Sequence, residues 1–392
     1  FHSNFTDLSL SSIVAISEKV KRLESEEGKR IIKFQRGDLN INTPEYVKEA
    51  IKKSLDAGRT NYPKSGGEPN FKQATKKYHA ESGITLDTKD IVCLHGGQEG
   101  LQLSFGLFRG KKALGFSPYW PCLTGNIFPY TEIDFKTIDL EETNGKISFD
   151  ANKLEDKLKQ VDIFYHNSPH NPTGKVFTPE ETKITDELAK KHGVIIISDE
   201  PYDKIVYDNI KHTSMLEFEN ENTITVLSGS KSFASTGLRV GHIICRNNNI
   251  TKLLTRANYS QTAGVATFIQ DAYTIALTDT ENREAWFNEL KTELQKRRNV
   301  LYQELHQVFP NLTKPEGAFY TFPDCNDFIP KGTRDKDRHL IDLFMKEGVA
   351  IVPGGTFGKP GYMRISFSAT SVEETSAGGR KIAETIRKQR AT

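Results

Sequence analysis

Lys231 stands between Ser230 and Ser232 in the run Ser228-Gly229-Ser230-Lys231-Ser232-Phe233, and Arg239 follows eight residues later between Gly237 and Gly241. Short hydroxyls and a planar guanidinium are the donors a phosphate group needs, because they offer compact hydrogen bonds and a fixed positive fork. An amine beside a bound phosphate is well placed to form a Schiff base with a carbonyl group on the same ligand. To attack a carbonyl the lysine must be neutral, although a free lysine has a pKa of ~10.4. Burial beside a cation such as Arg239 depresses that value. A solvated surface charge is the commoner fate of a lysine, and the glycines and hydroxyls around Lys231 argue against it.

Five further segments carry groups that could act with it. Asn167-Ser168-Pro169-His170-Asn171-Pro172-Thr173-Gly174 reads either as a turn, which Asn-Pro dipeptides mark, or as a binding loop. Asp199-Glu200-Pro201-Tyr202 sets a carboxylate three residues before a phenol. Such a carboxylate can hold a heteroaromatic nitrogen protonated, although a lone Asp is more often a turn residue or helix cap. Gly96-Gly97-Gln98-Glu99-Gly100-Leu101 offers bare N–H groups at a helix start, a ready anion site, but helix packing explains such glycines about as well. Glu99 would repel a phosphate there unless it points away. Ser117-Pro118-Tyr119-Trp120-Pro121 presents an indole that could cover a flat ring or fill a core. Tyr362-Met363-Arg364-Ile365-Ser366-Phe367 places Arg364 on a strand, where it could grip a substrate carboxylate as a bidentate fork or pair with a carboxylate of the core.

The elements that must position these groups alternate between β-branched apolar runs and helical patterns, which signals βαβ units and a mainly parallel sheet. Strands are predicted at Ile91–Leu94, 161–166, 194–198 and 223–227. A helix opens at Thr178, with Pro179 at its first position and Glu181 completing a capping box, and Gly193 ends it after Lys190, Lys191 and His192. Three of the strands stop just before polar stretches, at 167–171, 199–202 and 228–231. Ligands of open α/β sheets collect beyond the carboxyl ends of strands, so these stretches are expected to share one site. A long charged helix is expected over 281–308, stopped by Pro310. Gly317-Ala318-Phe319-Tyr320-Thr321-Phe322, a helix over 338–347 and strands over 349–352 and 362–367 then suggest a smaller α/β domain.

Bulk properties fit an enzyme with a charged surface. The 392 residues exceed one ordinary small domain, and 53 Lys+Arg against 51 Asp+Glu leave a net charge of only +2. That balance gives no electrostatic case for nucleic acid or an anionic membrane. No apolar run approaches the ~20 residues that span a bilayer. The four cysteines, Cys93, Cys122, Cys245 and Cys325, lack metal-type spacing, so free thiols in a reducing cytoplasm are expected and no metal site is. Phe1-His2-Ser3-Asn4 does not resemble a signal peptide, and the absence of an initiator methionine leads us to expect residues before Phe1.

From about Asp7 to the C-terminus, these motifs and their order resemble the fold-type I, pyridoxal-phosphate-dependent aminotransferases of class I/II, the aspartate and aromatic aminotransferase-like enzymes. The resemblance implies a PLP-dependent transferase fold, with a large domain on a mainly parallel sheet and a smaller α/β domain. It implies an N-terminal segment (1–37) packing with the small domain, a large cofactor domain (38–280) and a small C-terminal domain (281–392). Lys231 would carry pyridoxal 5′-phosphate as a Schiff base and shuttle the proton between Cα and C4′. Asp199 would hold the ring nitrogen protonated, and Tyr202 would donate to the phenolic oxygen and lower the Schiff-base pKa. Asn171 would contact that oxygen and the substrate carboxylate. Trp120 would stack on the ring. Ser228, Ser230, Arg239, Gly97 and Gln98 would bind the phosphate, joined by Tyr62 from a neighbouring subunit, so that a homodimer shares its active sites. Arg364 and Gly37 would receive the substrate carboxylate. The implied reaction moves an amino group from an L-amino acid to a 2-oxo acid, with 2-oxoglutarate the acceptor most often used. A PLP-dependent lyase (a C–S β-lyase or an aminocyclopropane-carboxylate-synthase-like enzyme) uses the same parts and is the alternative. A non-catalytic binding protein on the same fold is disfavoured by the intact Lys231, Asp199, Tyr202, Asn171 and Arg364. Ser9, Leu10, Ile13, Leu39 and Ile41 give the expected substrate region an apolar tint, which leaves aromatic, aliphatic and aspartate donors open.

Overall fold

The β-branched runs in the middle of the chain assemble into one seven-stranded sheet in the computed structural model, which describes Leu8 and residues 12–391. Numbered along the chain, its strands are β1 (Ile91–Leu94), β2 (Lys112–Ser117), β3 (Asp134–Asp139), β4 (Ile163–Asn167), β5 (Ile195–Asp199), β6 (Thr223–Ser228) and β7 (Gly241–Ile244). Their spatial order is β1-β7-β6-β5-β4-β2-β3. The pairs from β3 through β6 are parallel, and β7 runs antiparallel between β6 and β1. Every residue of β4 and β6 is buried. Ile163 and Tyr165 pack into one apolar cluster with Ile197 and Ile224, while Phe164 packs into another with Ile196. The continuous apolar runs read from the sequence thus reflect strands covered on both faces.

The register brings the polar strand ends together. Asn167 of β4 lies opposite Asp199 of β5, which lies opposite Val226 of β6, two residues before Ser228. Local signals hold the flanking helices. The helix Pro179–His192 carries the full Thr178–Glu181 capping box and ends at Gly193 with φ of 66°. The helix Gly97–Gly106 follows β1 directly, with Gly96 as its N-cap at φ 83°.

The long helix spans Thr280–His306, and the later helices span Lys336–Lys346 and Val372–Ala391. Tyr320–Thr321, Met363–Ser366 and Val352–Pro353 form a three-stranded antiparallel sheet. The sequence suggested one strand over 349–352, whereas the chain divides at Ile351. Val349–Ala350 pairs in parallel with Ile32–Lys33, and Val352–Pro353 pairs with Met363–Ser366. One short segment therefore serves two partners, a division that local propensity does not encode. The N-terminal helix Ser12–Glu27 buries Ile16, Val20 and Leu23 against Phe322, Met345, Val352 and Phe357. Asp7, Ser9 and Leu10 lie outside the described residues.

Candidate active site

At the carboxyl ends of β4, β5 and β6, a cavity of about 250 Å³ opens toward Arg364 and Gly37. Every predicted site residue except Tyr62 lines it. Tyr62 is 91% exposed and contributes nothing to the cavity of its own chain.

Lys231 sits on the short helical turn Gly229–Ser232 that follows β6, where Ser228 caps the turn by accepting from the Ser230 N–H. Its Nζ donates to the Gly37 carbonyl at 2.6 Å. Burial pushes its pKa down to about 8, and the Arg364 and Arg239 charges push the same way while Asp38 opposes them. At pH 7 about a tenth of the amine is then neutral, far more than a free lysine offers for nucleophilic attack.

Asp199 ends β5 and is pushed up to about 7, first by burial, with the Glu200 charge adding and a hydrogen bond from Tyr165 opposing. Tyr165 Oη donates to its Oδ2 at 2.7 Å, and Asn167 Nδ2 donates to its backbone carbonyl at 2.8 Å. Asn167 Oδ1 also accepts from the Asn171 N–H at 2.8 Å, which fixes the loop after β4. Asn171 in turn reaches Tyr202 Oη at 3.5 Å and accepts from Arg364 Nη1 at 3.3 Å.

Arg364 is 1% exposed on the strand Met363–Ser366. Its Nη2 donates to the Gln35 carbonyl at 3.1 Å, and its Nε is buried without a partner. Among the described residues no carboxylate pairs with it, so the core ion-pair alternative fails. A buried guanidinium that lines a cavity and has no carboxylate partner calls for an anion from outside the chain.

At the other end of the cavity, Ser228 Oγ and Ser230 Oγ lie 2.9 Å apart. Arg239 donates to the Thr236 carbonyl at 2.8 Å and to the His95 carbonyl at 3.1 Å. A Cβ on Gly96 would stand 2.9 Å from Arg239 Nη2, so this glycine admits the guanidinium to the start of the helix Gly97–Gly106. Glu99 turns back to accept from the His95 N–H at 2.6 Å and from Asn258 at 3.4 Å, so it does point away from the anion end. Trp120 is half-buried in the cavity wall. Gly37 is pressed by Tyr320, whose Oη would stand 2.9 Å from a Cβ there.

Tyr165 and Tyr320 were not singled out from the sequence, and Asn167 was placed at the site only as part of the stretch 167–171. The period of a strand puts Tyr165 and Asn167 on one face of β4, and that signal was available beside Asp199. Tyr320 comes from a distant strand and carries no comparable local sign. Glu200, which had no assigned role, lies on the opposite side from Asp199. It takes the Ser198 hydroxyl at 2.7 Å, His212 at 3.0 Å and the Met215 N–H at 3.1 Å, a buried network that ties down the following loop.

The donor set fits pyridoxal 5′-phosphate. Hydroxyls, a guanidinium and helix N–H groups suit its phosphate, a buried carboxylate suits its ring nitrogen, and a lysine of depressed pKa suits its aldehyde. Comparison with known proteins agrees. The profile of the family "aminotransferase class I and II" matches residues 29–380. A probable aspartate/prephenate aminotransferase of Aquifex aeolicus is 32% identical, with 98% of each chain covered. An aspartate aminotransferase of Geobacillus stearothermophilus is 31% identical, with 93% of each covered. Among solved structures, the aspartate aminotransferase of Thermus thermophilus with maleate superposes with a TM-score of 0.90 at 26% identity, over 98% of this chain and 99% of that one. With an activated lysine and an unpaired arginine in one cavity, and this match along almost its whole length, the chain belongs to the class I and II aminotransferases, enzymes that use pyridoxal 5′-phosphate to move an amino group from an amino acid to a 2-oxo acid.

Proposed function

We propose that Arg364 receives the α-carboxylate of an L-amino acid, that Lys231 moves the Cα proton, and that 2-oxoglutarate is the second substrate. The observation that carries this reading is the buried Arg364, which has no carboxylate partner among the described residues and lines the same cavity as Lys231. A bidentate grip on the carboxylate, with Asn171 beside it, would orient the Cα–H bond toward Lys231 Nζ.

When bound, pyridoxal 5′-phosphate supplies an electron sink that stabilises the negative charge left at Cα. Asp199 stays ionised when a cation lies against it, and Tyr165 and Asn167 keep it in place. Tyr202 would present its hydroxyl to the ring's phenolic oxygen, with Asn171 close by. Ser228, Ser230, Arg239 and the N–H groups of Gly97 and Gln98 would hold the phosphate, and Trp120 would cover the ring and exclude water. Lys231 Nζ, whose pKa is lowered to about 8, accepts the proton from Cα in its neutral form and returns it.

Tyr62 reaches the phosphate of the partner subunit in this reading, so the functional unit is a homodimer. Its 91% exposure and the exposed Tyr259 and Leu253 support that assignment. The parallel pairing of Ile32–Lys33 with Val349–Ala350 supports a division in which 1–37 packs with 281–392, apart from 38–280. Four free cysteines, three of them buried, support a reducing cytoplasm.

Single amino acids supplied without an acceptor test the function. A stoichiometric yield of the 2-oxo acid, with loss of the cofactor's visible absorption and its return on adding 2-oxoglutarate, is expected. Continuous release of ammonia and a 2-oxo acid without acceptor would mean elimination instead.

A further inference from the structure

Tyr320 joins the two halves of the site. It is 1% exposed on the strand Tyr320–Thr321 and lines the same cavity. Its hydroxyl lies 2.9 Å from that of Tyr202. Its ring lies under the Arg364 guanidinium, 4.5 Å from Cζ to the ring centroid. One side chain therefore touches the phenol read as the cofactor's partner and the arginine read as the carboxylate's.

Proton counting allows either hydroxyl of the pair to donate, and the two polarities differ in where they leave the Tyr202 proton. A phenol has one proton to donate and lone pairs to accept with. Tyr202 Oη already faces Asn171 Nδ2 at 3.5 Å. If Tyr320 also donates to it, the single Tyr202 proton is left to point into the cavity. The reverse polarity would turn that proton away from any ligand. The ring acts separately, because its π-face attracts a guanidinium and holds it in one orientation.

We propose that Tyr320 is a positioning residue for amino-group transfer, its hydroxyl aiming the Tyr202 proton at the cofactor's phenolic oxygen and its ring holding Arg364 for the substrate carboxylate. This deepens the functional reading above and rests on the roles given there to Tyr202 and Arg364.

The two contacts use different parts of one side chain, so two variants separate them. Tyr320→Phe removes the hydroxyl and keeps the ring, whereas Tyr320→Leu removes both. The holoenzyme gives two readouts, the pH midpoint of the bound cofactor's visible absorption and the KM for L-glutamate in the half-reaction. Weaker donation from Tyr202 leaves negative charge on the phenolic oxygen less stabilised, so the bound group keeps its proton to higher pH. In Tyr320→Phe the midpoint is expected to rise by about 0.5–1 pH unit, with KM within about twofold of the parent. Tyr320→Leu is expected to show the same rise and a KM about 5–30-fold higher. Tyr202→Phe is the control and is expected to raise the midpoint further. If Tyr202→Phe moves the midpoint and Tyr320→Phe does not, the proposal is overturned while the role of Tyr202 stands. If Tyr202→Phe leaves it unmoved, the reading of Tyr202 fails and takes the proposal with it. A KM raised equally in both Tyr320 variants would overturn the assignment of the ring to Arg364.

Discussion

The phenol of Tyr165 donates to Oδ2 of Asp199 at 2.7 Å across the parallel strands β4 and β5. Both groups are buried. The bond opposes the burial that pushes Asp199 up to about 7. Near neutrality Asp199 is thus poised between its two forms, and a protonated ring nitrogen laid against it selects the ionised one.

The first prediction concerns the stability of the cofactor-free protein. The folded pKa of Asp199, about 7, exceeds its ordinary value of 3.8. A group raised on folding contributes stability that is full below its unfolded pKa and is lost as pH rises through the folded one. Between about pH 4 and 7, Asp199 alone removes at most about 4 kcal/mol. Denaturant titrations at pH 5 and pH 8 are expected to show a smaller difference in Asp199→Asn than in the parent. Equal differences in the two proteins would contradict the linkage.

Replacing the donor should weaken cofactor retention. Tyr165→Phe leaves Asp199 Oδ2 without its shortest hydrogen bond and raises the carboxyl pKa further. The dissociation constant of pyridoxal 5′-phosphate, from equilibrium dialysis at pH 7, is expected to rise about tenfold or more. An unchanged constant would show that Asp199 is held by Asn167 alone.

Capture of the cofactor should titrate with Lys231. Its pKa lies near 8, with the Asp38 charge raising it against the effect of burial. The rate at which the cofactor-free protein gains visible absorption on mixing with pyridoxal 5′-phosphate is expected to rise with pH through about 8. Asp38→Asn is expected to move that midpoint to lower pH. A shift upward would contradict the assigned charge coupling.

Gly96→Ala tests the anion end of the cavity. The added Cβ would stand 2.9 Å from Arg239 Nη2, on a backbone whose φ of 83° already disfavours a side chain. Arg239 must then move from the helix start. Retention of pyridoxal 5′-phosphate is expected to fall at least tenfold, while retention of phosphate-free pyridoxal changes little. Equal losses for both ligands would place Arg239 elsewhere than at the phosphate.

Much of this site was legible from residue types and spacing because its parts are local. Ser228, Ser230 and Lys231 share one turn, Thr178 and Glu181 form a capping box three residues apart, and the strand ends carry their polar residues in series. What stayed hidden depends on partners far apart in sequence. Glu99 is held away from the anion end partly by Asn258, 159 residues on, although its other partner, His95, is four residues away. Tyr320 meets Tyr202 across 118 residues, and no periodicity announces that contact. The division at Ile351 has the same origin, because the second partner of that segment, Ile32–Lys33, lies at the other end of the chain.

The most direct test is to reduce the holoenzyme with borohydride, digest it and locate the cofactor on the chain. We predict that the pyridoxyl group is found on Lys231 and that Lys231→Ala neither shows the visible absorption band nor retains a label. A label on another lysine, or a band that survives in Lys231→Ala, would contradict the account at its centre.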